Sequence, residues 1–136
     1  MKLERISLKL AVLFLTGVVG APLALAEDTW HASKSEAAQL PLFCWGQLMS
    51  DEFRGPEYEI LDCGPFMNHY CLGLLKIVRA NKTIGDIALK KQMIRGARVD
   101  TETTLRDMKP YPTCSIREHA EKTLQQIDSL QRAFGK

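Results

Sequence analysis

The chain has 136 residues, 18 Lys and Arg against 16 Asp and Glu, and four cysteines. That length holds one domain. So even a charge balance excludes a dedicated nucleic-acid binder, which needs a net basic face.

Lys2, Arg5 and Lys9 form a basic n-region, Leu10 to Val19 is apolar, and Ala24-Leu25-Ala26 is a small-x-small site before Glu27-Asp28. These features predict an export signal over residues 1–26, cleaved after Ala26. If retained, the charge-free stretch Leu10 to Ala26 would be an anchor at the short edge of what crosses a bilayer. Gly17, Gly20 and Pro22 favour cleavage. Removing Lys2, Arg5, Lys9 and Glu4 leaves 15 basic and 15 acidic residues, so strong adhesion to anionic lipid is not expected. The expected compartment is the periplasm. In a eukaryotic secretory route, Asn81-Lys82-Thr83 would be a glycosylation sequon.

Residues 27–39 are polar and small, and read as a flexible or loosely helical arm. Leu40 to Trp45 is abruptly apolar and aromatic, a segment to be pinned to the core of a single domain over residues 40–136. Residues 46–62, with Gly46, Gly55 and Pro56, read as an irregular loop. A first helix is predicted from Gly64-Pro65, with Met67, Tyr70, Cys71, Leu74, Ile77 and Val78 on one face. Arg79 to Lys82 closes it. A second helix starts at Thr83, read as its cap, with Asp86 in the first turn. It carries Ile87, Ile94, Ala97, Leu105 and Met108, with a poorer middle at Gly96 and Val99 to Thr104 that could admit a bend. Lys90, Lys91, Arg95, Arg98 and Arg106 interleave with Asp86, Asp100, Glu102 and Asp107, the pattern of a solvated mixed-charge helix. Pro110-Tyr111-Pro112 breaks it. A third helix opens with the capping box Ser115-Ile116-Arg117-Glu118 and continues the stripe Ile116, Ala120, Leu124, Ile127, Leu130, Phe134, ending at Gly135. No apolar alternation is long enough for a sheet. The predicted fold is all-α: three helices, up-down-up, stapled by disulfides.

All four cysteines lie beyond the signal. An even count in a small exported chain predicts a disulfide framework. In an up-down-up bundle the first and third helices start at the same end, which brings Cys63 and Cys114 together. Cys44 would then cross to Cys71 on the first helix. The other two pairings stay open on sequence alone.

Asn68-His69-Tyr70-Cys71-x-Gly73-Leu74, followed by Arg79-Ala80 and preceded by Leu40-Pro41-Leu42-Phe43-Cys44, resembles small exported proteobacterial proteins with tetratricopeptide-like helices. The resemblance spans roughly residues 40–130. It implies a helical hairpin plus one helix, a bond between Cys44 and Cys71, and a binding or scaffolding role. This chain departs from that pattern by stopping after about one and a half helical pairs.

Met67, His69 and Cys71 are ligand types that copper uses, but positions i, i+2 and i+4 do not share a helix face. A disulfide would also remove the Cys71 thiolate. Cys-x-x-Cys and Cys-x-x-Cys-His are absent, and so are hydrolase and phosphate-loop motifs. Cys71 with His119 as a hydrolase pair is weaker still. Phe43, Trp45, Phe53 and His69 are the candidate partner-binding residues, the aromatics because such anchors dominate interfaces when exposed. The alternative role of the aromatics is to cap the open end of the bundle. The expected function is a non-enzymatic exported accessory or adaptor protein without cofactor or metal, binding a protein partner in the periplasm or at a membrane complex. Two alternatives are a periplasmic immunity or inhibitor protein, and a copper-handling or redox protein using Met67, His69 and Cys71.

Overall fold

Apolar residues recur every three or four positions in Asn68–Lys82 (α3), Ile87–Asp107 (α4) and Arg117–Phe134 (α5), and each stretch is one helix. The computed structural model describes residues 30–49, 53–65 and 67–134; the predicted export signal lies outside them. Two short helices, Lys34–Ala37 (α1) and Trp45–Leu48 (α2), and two 3-10 turns, Leu42–Cys44 and Pro56–Tyr58, precede the long ones. Among the described residues every regular element is helical, and no helix is long and apolar enough to cross a membrane.

Neighbouring long helices run antiparallel. Gly73 and Lys76 on α3 meet Thr101 and Asp100 on α4, and Thr83 meets Met93 farther along. Arg98 on α4 reaches Asp128 and Gln131 on α5. Helices α3 and α5 therefore run parallel, both packed on α4. The α3–α4 seam is close because residue 73 is glycine. A Cβ there would sit 3.2 Å from the Ala97 carbonyl oxygen and 3.2 Å from the Asp100 Cβ. The core joins Tyr70, Leu75, Ile77, Ile94, Ala97, Met108, Ala120 and Ile127 with both disulfides.

Several expected boundaries move, each for a tertiary reason. Helix α3 begins at Asn68 rather than at Gly64-Pro65: Gly64 has φ +91°, and the Tyr111 ring lies where its Cβ would be. Asp86, not Thr83, caps α4 by accepting the Leu89 N–H at 2.8 Å; the Thr83 hydroxyl instead donates to the Arg79 carbonyl at the end of α3. The poorer middle of α4 does not interrupt it, and the helix is unbroken for 21 residues. The Thr101 and Thr104 hydroxyls donate to the carbonyls of Ala97 and Asp100, so these buried polar groups are satisfied without opening the helix. The Ser115 capping box is not made. Asp62 takes the Ser115 hydroxyl and its N–H, both at 2.9 Å, and Glu118 pairs with Lys122.

The disulfides are Cys44–Cys71 and Cys63–Cys114. The first ties the segment before α2 to the inner face of α3. The second joins the loops before α3 and α5. Such pairing fits an oxidising, exported compartment. Within the arm, residues 33–40 make one capped helical turn that is fastened to the bundle. Ser33 and Glu36 form a reciprocal capping box, Ala37 and Leu40 are buried, and Glu36 accepts from Arg79 Nε at 2.8 Å.

Candidate functional site

The segment Ala38 to Pro41 lies along α3 and leaves a groove between itself, α3 and α5. Its floor is apolar: Leu40 and Pro41 from the segment, with Leu74, Ile77 and Val78 from α3. Its rim is polar: Gln39, Asn81, His119, Lys122 and Gln126. The volume is about 650 Å³. The groove lies where α3 and α5, each packed on α4, meet near their N-terminal ends through hydrogen bonds from Tyr70 to His119 and Thr123.

Those three residues form the polar centre at the groove's inner end. Tyr70 is fully buried, and its hydroxyl meets both Thr123 Oγ1, at 3.0 Å, and His119 Nδ1. Thr123 donates its own proton to the His119 carbonyl at 2.9 Å. Thr123 can then only accept from Tyr70, so Tyr70 receives the His119 Nδ1–H. That chain of donors leaves Nε2 of His119 as an acceptor at the groove rim. Burial pushes the Tyr70 phenol up to about 12, against a weaker opposing effect of Thr123. Partial desolvation, with Lys122 adding to it, pulls the His119 pKa below its usual value. A neutral imidazole and an un-ionised phenol can bind and orient a ligand. Cys71, the thiol considered with His119, is bonded to Cys44 and offers no free thiolate there.

The residues singled out from sequence fall in separate places. Phe43 lies behind the groove, its ring 6.3 Å from Tyr70 and 6.1 Å from His119. Trp45 and Phe53 form a different cluster with Tyr58, edge to face at 5.2 Å between Trp45 and Phe53. The Trp45 indole N–H donates to the Ala37 carbonyl at 3.0 Å. Both rings thus fasten the N-terminal segment. His69 faces α4, its Nδ1 3.7 Å from Asp100 Oδ1, beside the 2.6 Å Lys76–Asp100 pair. Met67 is buried and Cys71 is in a disulfide, so Met67, His69 and Cys71 are not brought together as a ligand set. No group of three or more His, Cys, Asp or Glu among the described residues could hold a metal ion.

Sequence reasoning missed His119, Lys122 and Asn81 as rim residues and Arg79 as a fastening. The available signal was weak: His119 and Thr123 lie four apart on α5, one turn around from the apolar stripe. Comparison with protein-family models, curated proteins and solved structures found no match to this chain.

Proposed function

We propose that the chain is a non-enzymatic accessory or adaptor protein, exported to the periplasm or held at a membrane complex, which binds a segment of a protein partner in the α3–α5 groove. The observation that carries this reading is the groove itself, an apolar floor of Leu74, Ile77 and Val78 inside a rim of hydrogen-bonding side chains. An apolar floor supplies affinity, and convergent polar groups fix orientation. An antiparallel α3–α4 pair followed by α5 parallel to α3, with α3 and α5 lining one face, supports a tetratricopeptide-like arrangement.

The test is site-specific photocrosslinking in cells of the chain's own source. A photoreactive residue at Lys122 or Gln126 should capture one discrete partner. The same group at Val99, exposed on α4, should capture none. Asn81→Trp, which fills the exposed rim without touching the core, should abolish the Lys122 and Gln126 products while the helical circular dichroism stays unchanged. Equal crosslinking from Val99, or products indifferent to Asn81→Trp, would overturn the reading.

A further inference from the structure

The opposite end of the bundle carries a second surface, independent of the groove. Helix α5 ends at Phe134 against the first turns of α4. Between them lies a pocket of about 280 Å³, lined by Lys91, Ile94, Arg95, Gln131 and Phe134. The Lys90 ammonium lies 4.7 Å from the centre of the Phe134 ring. Ile87, one turn before Lys91, is 49% exposed, and Ile84 before it is 94% exposed. Apolar residues thus run from the pocket over the end of α4.

The charges around this strip are unbalanced. Elsewhere on the bundle several cations hold carboxylates: Lys76 with Asp100, Arg79 with Glu36, Arg106 with Asp107, Lys122 with Glu118. The acids nearest the pocket are already engaged. Asp86 caps α4, and Glu102 and Asp128 both bind Arg98, one turn beyond Arg95. Lys90, Lys91 and Arg95 are left with no carboxylate among the described residues. The alternating charges of the sequence suggest a neutral helix face, but the fold leaves these three cations side by side at the start of α4.

We infer that the strip Ile87–Lys91–Ile94–Arg95 of α4, with Phe134 of α5, is a docking site for an acidic amphipathic helix of another protein. The pocket is below the size usual for a whole small-molecule ligand but accepts one large apolar side chain. Carboxylates one helical turn to either side of that anchor reach Lys91 and Arg95, the spacing of neighbours on a helix face. A phosphate backbone or lipid headgroup would meet the same cations. Neither would cover Ile87 and Phe134, and three cations are few against the many contacts a polyanion needs for affinity.

The probe is a synthetic amphipathic peptide of Leu, Glu and Ala, compared with its counterpart in which every Glu is Gln, added to the full oxidised chain. The Glu peptide should bind and shift the amide resonances of Lys91, Arg95, Gln131 and Phe134. The Gln peptide should bind at least about tenfold more weakly, an effect readable as a change in Kd. Raising salt about tenfold, which shortens the Debye length roughly threefold, should weaken the Glu peptide selectively. The double variant K91E/R95E, both positions lying outside the core, should weaken the Glu peptide as much as the Gln substitution does. Equal binding of the two peptides, resonance shifts confined to the α3–α5 groove, no binding of the Glu peptide, or tighter binding to phosphatidylglycerol vesicles than to the peptide would each overturn the assignment.

Discussion

Among the described residues from Trp30 to Met67 the chain makes only short helical turns, fastened by bonds that reach elsewhere. Cys44 and Cys63 leave for α3 and the α5 entry, Glu36 goes to Arg79, and Asp62 goes to Ser115. From Asn68 to Phe134 three long helices hold one another through a continuous apolar face. The first region has too few buried side chains to order itself. The second has a close-packed seam at Gly73 and needs no cross-link within it. Covalent and polar fastenings therefore do in the N-terminal region what area and shape do in the bundle, and the groove lies where the two regions meet.

The largest expected effect that separates them is loss of the disulfides. Their sequence separations of 27 and 51 correspond to about 3.5 and about 4 kcal/mol of loop-closure entropy, respectively. Reduction should therefore release residues 30–65 to fast amide exchange while Leu75 and Ile94 stay protected. Simultaneous loss of protection throughout would make the two regions one cooperative unit. Next is Gly73→Val, which forces a branched side chain against the Ala97 carbonyl and Thr101. A cost of about 2–3 kcal/mol in chemical unfolding is expected, as for overpacking elsewhere. A cost below about 0.5 kcal/mol, the scale of an ordinary surface change, would show that α3 and α4 can slide apart.

The smallest effect is on the N-terminal fastening. Hydrogen bonding from Arg79, then from the Ser33 backbone and hydroxyl, holds the Glu36 carboxyl down at about 2, against an opposing desolvation. A carboxyl depressed in the folded state stabilises above its unfolded pKa and loses that stabilisation as pH falls through the folded value. Wild type should exceed Glu36→Gln in melting temperature at pH 6, and the difference should vanish as pH falls from about 4.5 toward about 2. The pair is partly solvated, so roughly 1 kcal/mol or less is expected. A pH-independent difference would assign Glu36 a packing role instead.

What could be read from sequence was periodic. The stripes of α3, α4 and α5 predict helices because a 3.6-residue repeat is local and survives in any tertiary setting. Helix ends were less legible. Ser115-x-x-Glu118 has the pattern of a capping box, but Asp62, 53 residues earlier, takes the Ser115 hydroxyl. Thr83 finishes one helix rather than starting the next, because the Arg79 carbonyl is within reach of its hydroxyl. The candidate site was legible in its apolar half, since Leu40, Leu74, Ile77 and Val78 stand out by hydrophobicity. Its polar half was not. His119 gains its place from a tyrosine 49 residues away, and its position beside the α5 stripe signals only that it can approach α3, not which residue it meets. Phe43, Trp45 and Phe53 were conspicuous as aromatics; half-buried, they pack on Tyr70 and Tyr58 with part of each ring left at the surface.

The cysteines occur in the order 44, 63, 71, 114, and the bonds join first to third and second to fourth. The two covalent rings therefore overlap, each enclosing one end of the other. A chain that emerges N-terminus first offers Cys63 to Cys44 before Cys71 has appeared. Oxidation in order of emergence closes a ring that the finished molecule does not contain. The native rings then require either a thiolate attack that exchanges partners through a mixed disulfide, or enough delay for α3 to carry Cys71 to Cys44 first. This connectivity makes the order in which sulfur atoms meet, alongside the stability of the helices, a variable in reaching the native rings.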